Sequence, residues 1–254
     1  MITGKNTYFI SDLHLGSRAF DNDRERELKV VSFLNDIKSS CKTLYLLGDI
    51  FDYWFEYKYV VPKGYVRFLA KLCEFTDSGI EVHFYIGNHD IWVRDYLEKE
   101  CGVIIHLSKT EIVSIDNLKL FLGHGDGLNP KDIGFILLRA LFHNTTVRWF
   151  YRWLIHPDIN YFMGYSWSAS NRKKNRDSKN LTKFVYAYDN EEVDFCRKQL
   201  KKEHFDYFIF GHRHILLDIK LSDTSRYLNI GDWIFNFSYA VLENGKITLN
   251  KYSK

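Results

Sequence analysis

Five short segments of the sequence place metal-binding side chains directly after a run of apolar residues. The central segment is Gly48-Asp49, which follows the apolar run 44–47. The candidate ligands in the five segments are Asp12, His14, Asp49, Asn88, His124, His212 and His214. Carboxylate, carboxamide and imidazole groups together suit manganese, iron or zinc, whereas magnesium and calcium prefer oxygen ligands. The sequence therefore predicts a metal centre with mixed ligands, in which Asp49 lies between two ions.

Strands that alternate with helices are expected to bring these segments together. Apolar residues recur at helical spacing over 23–39, and further helices are predicted over 63–76 and near 91–100. Strands are predicted over 44–47 and 82–86. Such alternation implies parallel pairing, and ligands of parallel sheets collect at the carboxyl ends of the strands. The motifs should therefore meet at one edge of a sheet.

Shorter strands follow residue 103 and predict a second sheet. Strands over 111–115 and 119–122 are separated by Asp116-Asn117, which is typical of a tight turn. The tail is expected to continue this second sheet, with the last hairpin turn at 243–245. Its predicted strands cover residues 207–210, 216–221, 227–230, 237–242 and 246–252.

Length and composition favour one α/β domain, residues 1–254, that carries an insertion. The chain has 254 residues, of which 46% are apolar and 17% aromatic, and this excludes a disordered or fibrous protein. Met1 leads almost directly into the first motif, so we expect no cleavable signal peptide. No apolar stretch reaches the roughly 18 residues of a membrane helix, which predicts a cytoplasmic protein. The four cysteines form no C-x-x-C pair and are expected to be reduced thiols.

The expected insertion spans about residues 128–180 and is both basic and aromatic. Nine Lys and Arg residues lie between positions 139 and 183, against two acids, although the whole chain carries a net charge of only +3. We interpret the segment as a helical cap beside the metals, followed by a helix over 181–202. Its charge predicts an anionic partner at this part of the molecule.

The ordered motifs resemble the full signature of the calcineurin-like metallophosphoesterases. They are Asp12-x-His14, Gly48-Asp49-x-x-Asp52, Gly87-Asn88-His89-Asp90, Gly123-His124 and Gly211-His212-x-His214. The resemblance implies a four-layer α/β/β/α sandwich and two divalent ions, with Mn²⁺ favoured and Fe or Zn as alternatives. It assigns one ion to Asp12, His14, Asp49 and His214, and the other to Asp49, Asn88, His124 and His212. It also makes His89 a catalytic residue that reaches a phosphoryl or leaving-group oxygen, oriented by Asp52.

The basic cap extends the resemblance to the UDP-2,3-diacylglucosamine hydrolases of lipid A biosynthesis. That family cleaves a UDP-linked diacylated glucosamine lipid into UMP and the lipid 1-phosphate. The resemblance implies substrate contacts by Asn88, His89, Asp132, Ser170, Asn171, Asn175, Lys179 and His212. It also implies peripheral contact with the cytoplasmic face of the inner membrane. Many members of that family carry Arg where this chain has His89. This departure from the family pattern bears on which substrate the chain uses.

Three alternative functions stay open at this point. The chain could act on a soluble nucleotide-linked phosphoester, or it could be a nuclease. Nucleic acid is not the expected partner, because the net charge of +3 is small. A non-catalytic scaffold should have lost ligands, and here the ligand set is complete. Asp90 and Asp126 are interpreted as loop-capping residues, and the sequence leaves the oligomeric state open.

Overall fold

The first sheet has six strands, four of which are parallel. The computed structural model describes residues 5–18, 22–128, 144–177 and 191–253, with the backbone alone over 169–177. The parallel strands are β1 (Asn6–Ile10), β2 (Cys41–Leu47), β3 (Glu81–Tyr85) and β4 (Ile104–His106). This sheet therefore follows the predicted alternation of strands and helices.

The second sheet has five strands in the order β5-β6-β7-β9-β8. They are β5 (Thr110–Ile115), β6 (Leu118–Gly123), β7 (Tyr207–Phe210), β8 (Leu216–Lys220) and β9 (Arg226–Ile230). The two central pairings, β6 with β7 and β7 with β9, are parallel. The turn between β5 and β6 is formed by Asp116 and Asn117, which both have a positive φ, of 50° and 66°. This is the tight turn predicted from the sequence.

The last two strands, β10 (Ser238–Glu243) and β11 (Lys246–Lys251), belong to the first sheet, so the expectation that they extend the second sheet is wrong. β10 pairs antiparallel with β1, which gives the order β11-β10-β1-β2-β3-β4. Ala240 packs between the two sheets, whereas Tyr239 contacts the core on the helix side. β10 is apolar on both faces, which is compatible with its place beside β1. This pattern alone does not predict which strand β10 pairs with.

Six helices are present in the described part of the chain. They are α1 (Asp23–Ile37), α2 (Val66–Asp77), α3 (Tyr96–Cys101), α4 (Thr145–Leu154), α5 (Pro157–Asp177) and α6 (Glu191–Leu200). The helix expected near 91–100 begins only at Tyr96, because the Glu56 carboxylate accepts hydrogen bonds from the backbone N–H groups of Arg94, Asp95 and Tyr96. Residues 181–190 of the helix expected over 181–202 lie outside the described residues.

The layers follow from three apolar cores. Helices α1, α2 and α3 cover one face of the first sheet, with Val30 and Phe68 buried there. Phe9 and Ile209 lie in the core between the sheets, and Val193 of α6 packs on the outer face of the second sheet. The molecule is thus the expected α/β/β/α sandwich. All four cysteines are free thiols, as predicted.

Helix α5 packs on the loop that follows β2. Asn160 accepts a hydrogen bond from the Tyr53 hydroxyl at 2.6 Å, and the Tyr161 hydroxyl donates to the Phe55 carbonyl. The same loop carries Asp52, so the helix lies next to one of the predicted motifs. Within the described ranges, no helix combines the length and apolar character needed to cross a membrane.

Candidate metal centre

The predicted ligands lie where strands end, and several of them have an unusual backbone. Asp12, His14, Asp49, His212 and His214 all have a positive φ, between 44° and 68°. This left-handed conformation costs a non-glycine residue roughly 1–2 kcal/mol. Such strain clusters at functional sites, where the surrounding structure enforces it. Here the sharp turns direct neighbouring side chains to one point above the strand ends.

Two motif glycines are required because the ligands approach their backbone closely. A Cβ atom on Gly87 would lie 2.2 Å from Asp49 Oδ1, and one on Gly211 would lie 2.4 Å from Asp12 Oδ2. Both contacts are far shorter than a van der Waals contact. The absence of a side chain at these two positions therefore allows the loops to close around the carboxylates.

The ligand atoms form adjoining clusters. One cluster joins Asp12, His14 and His214, and another joins Asp49, His124 and His212, with the ligand atoms of each within 4.8 Å of one another. His14 Nε2 lies 3.6 Å from both Asp12 Oδ1 and Asp49 Oδ2. The same Asp49 oxygen lies 3.3 Å from His124 Nε2. Asp49 therefore faces both clusters, which is the arrangement that a bridging ligand needs.

Buried atoms at the site show that the residues fit a metal. Asp12 Oδ1, Asn88 Oδ1 and His124 Nε2 are buried and form no hydrogen bond with any part of the chain that the structure describes. Buried polar atoms are nearly always partnered, and leaving one unpaired costs free energy. All three atoms belong to predicted ligands. Divalent ions would satisfy them, so the donor set fits the expected pair of metals.

Three of the four predicted histidine ligands present Nε2 to the centre, because their Nδ1 atoms are engaged elsewhere. His124 Nδ1 donates a hydrogen bond to the Leu47 carbonyl at 2.9 Å. His14 Nδ1 lies 3.4 Å from Asp52 Oδ1, and His214 Nδ1 lies 3.4 Å from Asp232 Oδ2. Carboxylate and carbonyl partners of this kind fix the tautomer and the ring orientation of a metal-binding histidine.

The carboxylates of the centre remain ionised despite their burial. Burial raises the pKa of the Asp12 carboxyl, but the imidazoles of His214 and His14 outweigh this effect and bring the pKa below its usual range. The pKa of Asp49 is lowered in the same way, with His124 as the main opposing group. Burial and the neighbouring His124 lower the pKa of His212 to about 4, so His212 is neutral and able to bind metal at neutral pH.

His89 lies at the open side of the centre. Its side chain is 20% exposed, and its Nε2 is 4.0 Å from Asp49 Oδ2. Asp52 contacts it as expected, but through the backbone carbonyl at 2.8 Å from His89 Nδ1 rather than through the carboxylate. The Asp52 carboxylate instead faces His14 Nδ1. That carboxylate is held from the other side by the Ser168 hydroxyl at 2.7 Å.

Sequence reasoning missed two residues that support the centre, Asp232 and Ser168. Asp232 Oδ1 accepts hydrogen bonds from the N–H groups of three following residues, and its other oxygen faces His214. Gly231-Asp232 follows the apolar end of β9, so the glycine–acid pattern of the other motifs could have revealed it. Ser168 carries no such signal, because its role depends on how α5 packs.

The structure describes some of the other predicted residues in full, some by their backbone alone and some not at all. Asp90 caps its loop as predicted, since its carboxylate accepts hydrogen bonds from Gly87 N–H at 2.6 Å and Ile50 N–H at 2.8 Å. Asp132 and Lys179 lie outside the described residues. The backbone places three further candidates on α5, namely Ser170, Asn171 and Asn175. The substrate contacts assigned to these residues remain predictions.

The sequence is similar to those of known phosphoesterases. Residues 5–216 match the calcineurin-like phosphoesterase family. The chain is 38% identical to UDP-2,3-diacylglucosamine hydrolase of Porphyromonas gingivalis over 252 residues, which cover 95% of each chain. It is 27% identical to the protein of the same name from Haemophilus influenzae strain Rd over 240 residues, covering 92% of this chain and 93% of that one. A solved archaeal phosphodiesterase aligns with 97% of this chain and 99% of its own at 14% identity and a TM-score of 0.46. The family match over most of the chain, with its motif residues gathered in one buried centre, shows that this protein belongs to the calcineurin-like phosphoesterases.

Proposed function

We propose that the protein hydrolyses the pyrophosphate bond of UDP-2,3-diacylglucosamine and releases UMP and 2,3-diacylglucosamine 1-phosphate, a step of lipid A biosynthesis. The observation that carries this proposal is the 38% identity to the Porphyromonas gingivalis hydrolase, which covers 95% of both chains. The site chemistry supports it, because a centre of this kind takes an anion with several oxygens, as a pyrophosphate is.

The metal-binding role of each ligand is part of the proposal. Asp12, His14, Asp49 and His214 hold one ion, and Asp49, Asn88, His124 and His212 hold the other. When bound, two divalent ions supply Lewis-acid activation of the phosphoryl group and of the attacking water. Three carboxylate and carboxamide side chains combined with four imidazoles suit manganese, iron or zinc. Among these we favour Mn²⁺ at both positions, as the family resemblance implies.

His89 acts on the substrate rather than on the metals in this proposal. Its Nδ1 donates to the Asp52 carbonyl, so its Nε2 is the ring atom presented toward the open side of the centre. From this position His89 interacts with a phosphoryl oxygen or with the leaving sugar phosphate. Asp52 supports this geometry through its backbone, while its carboxylate orients His14.

Helices α4 and α5, within the proposed cap of residues 128–180, provide an apolar surface for the acyl chains and the membrane. Each helix packs one side against the body of the protein and exposes apolar residues on the other. The exposed residues are Trp149, Phe150, Trp153 and Leu154 on α4, and Ile159, Phe162, Met163 and Trp167 on α5. Exposed apolar patches are typical of surfaces that bind lipid. We therefore place the enzyme at the cytoplasmic face of the inner membrane.

Eight residues are proposed to contact the head group of the substrate. Asn88, His89 and His212 lie at the metal centre and contact the pyrophosphate in this proposal. Asp132, Ser170, Asn171, Asn175 and Lys179 contact the sugar and uridine groups, as the family resemblance implies.

Hydrolysis in oxygen-18 water tests the proposal directly. The two phosphorus atoms of the substrate are chemically similar, so their placement decides which one water attacks. The family resemblance implies that the uridine-side phosphorus lies at the metal centre while α4 and α5 hold the acyl chains, so the label is expected in UMP. Asp49→Ala should abolish turnover and lower the content of tightly bound metal. Robust cleavage of a soluble nucleotide diphosphate ester without cleavage of the lipid substrate would contradict the substrate assignment.

The membrane contact needs a separate measurement. A Trp153→Gln/Phe162→Gln variant should bind less to vesicles in sedimentation, because both side chains are largely exposed, at 74% and 66%. Its hydrolysis of a small activated phosphodiester should not change, since neither residue contacts the metal ligands. Tyr59→Gln, which changes a single aromatic side chain that is 86% exposed elsewhere, is the control. Equal vesicle binding by the double variant and wild type would contradict the contact.

A further inference from the structure

A cavity lies between the first half of α5, the start of α1 and the loop before α2. Its volume is about 540 Å³, within the range of about 300–1,000 Å³ typical of small-molecule sites. None of its lining residues is a predicted metal ligand or one of the predicted substrate contacts. The residues that matter here are Arg18, Arg24, Lys63, Arg67, Tyr161 and Tyr165.

The cavity is lined by four cationic side chains and three acids, Asp23, Glu27 and Asp158. Among the described residues, none of its four cationic side chains forms a salt bridge with a carboxylate. Each of the three acids has another partner. Asp158 Oδ2 lies 3.8 Å from His156 Nδ1. Asp23 accepts hydrogen bonds from the Gly16 N–H and the Arg26 guanidinium. Glu27 accepts hydrogen bonds from two backbone N–H groups at the start of α2, each at 3.2 Å.

Tyrosine side chains give the cavity a defined wall. The Arg18 guanidinium lies 4.5 Å above the Tyr165 ring, a cation–π contact that holds the guanidinium in place at its rim. The Tyr165 hydroxyl is 3.1 Å from that of Tyr65. Burial raises the pKa of both Tyr161 and Tyr165, so these phenols stay neutral at physiological pH. The tyrosines therefore line the cavity without adding a negative charge that would oppose the cations.

We propose that this cavity is a second anion site, which binds a phosphate monoester or diester independently of the metal centre. Three guanidinium groups offer paired donors that match phosphate oxygens, and the ammonium group of Lys63 adds a fourth charge. Apolar lining such as Val61 and Pro157 accommodates the non-ionic part of the ligand. The phosphate belongs either to a soluble ester or to a lipid head group at the membrane surface.

The test compares two double variants that each remove two positive charges. Arg18→Gln/Arg67→Gln changes two cations of the cavity, and neither side chain belongs to the catalytic machinery. Lys42→Gln/Lys246→Gln changes two exposed lysines on strands of the first sheet and is the matched control. Calorimetric titration of metal-loaded protein with glycerol phosphate is expected to show two binding events in wild type and control. In the cavity variant the second event should be at least about tenfold weaker, because hydrogen bonds between charged partners contribute that much or more.

Vesicles that contain phosphatidylglycerol form the second arm of the experiment. The apolar face of α4 and α5 is unchanged in both variants, so weaker vesicle binding by the cavity variant than by the control would identify a lipid phosphate as the ligand. Unchanged vesicle binding, with the soluble ester affected, would identify a soluble ligand. Thermal unfolding verifies that both variants are folded. Two calorimetric results speak against the proposal: a single binding event for glycerol phosphate in wild type, or two unchanged binding events in the cavity variant. Either result overturns the proposal if the cavity variant also binds vesicles as well as the control variant does.

Discussion

Removing the Ser168 hydroxyl should weaken metal binding, although Ser168 contacts no ligand of the centre. Its Oγ donates a hydrogen bond to Asp52 Oδ2 at 2.7 Å, and the other oxygen of that carboxylate faces His14 Nδ1 at 3.4 Å. The Asp52 carbonyl also holds His89. One residue on α5 therefore helps to fix the loop that orients a predicted metal ligand and a predicted catalytic histidine.

The size of the effect follows from the environment of this hydrogen bond. Both Ser168 and Asp52 are buried, with 3% and 1% of their surface exposed, so water does not readily replace the lost hydroxyl. A hydrogen bond to a charged group contributes roughly 1.5–3 kcal/mol. Loss of a group that orients a metal-binding histidine typically lowers metal affinity by about 10–100-fold. Since Ser168 acts through Asp52, we expect a loss of about tenfold in Mn²⁺ affinity for Ser168→Ala.

Titration of metal-free protein with Mn²⁺ measures this affinity without relying on turnover. Ser168→Thr keeps the hydroxyl and should restore most of the affinity. Ser32→Ala is the control, because it removes a hydroxyl that is 2.9 Å from the Tyr252 hydroxyl, in a contact that involves no ligand of the centre. If Ser168→Ala lost stability but bound Mn²⁺ as wild type does, the link from α5 to the metal centre would be refuted.

Three further substitutions test other parts of the molecule. Burial raises the pKa of Glu192 from its ordinary 4.5 to about 7, so its contribution to stability falls as pH rises through this interval. The free energy of unfolding of Glu192→Gln, measured in urea, should therefore increase relative to wild type by up to roughly 3 kcal/mol between pH 5 and pH 8. A difference that does not depend on pH would contradict the raised pKa. Gly87→Ala should lower the free energy of unfolding by about 3 kcal/mol and abolish Mn²⁺ binding, because the new methyl group collides with Asp49. Gly245→Ala is the control and should keep Mn²⁺ binding, because Gly245 has open space around it. His89→Ala should lower kcat by about 10²–10⁴-fold in steady-state assays with little change in KM, whereas a rise in KM alone would indicate a binding role.

Much of the fold could be predicted from local patterns. The bounds of β7 agree with the prediction residue for residue, and the parallel strands β1 to β3 follow the predicted alternation with helices. The convergence of Asp12, Asp49 and Asn88 was also predictable, because the parallel strands β1, β2 and β3 deliver the residues that follow them to the same edge of the first sheet. These features depend on residues that are close in sequence, so periodicity and motif spacing are sufficient to predict them.

The features that were missed depend on contacts between distant segments. β10 pairs with β1 across more than 200 residues, and its pattern of apolar residues fits either sheet. The carboxylate of Asp52 faces His14 rather than His89, because Ser168 holds it from a helix that begins about 100 residues later. No local spacing in the sequence encodes either choice.

The ligand loops also show how the chain prepares this centre. Five ligand residues in the left-handed region together cost roughly 5–10 kcal/mol, which is comparable with the whole net stability of a typical domain. The loops offset this cost by hydrogen bonding to one another. The N–H of His14 donates to the Asp49 carbonyl at 3.0 Å, and the N–H of His212 donates to Asp12 Oδ2 at 2.9 Å. Each loop therefore depends on another for its conformation, so the ligand geometry is a property of the folded chain as a whole rather than of any single motif.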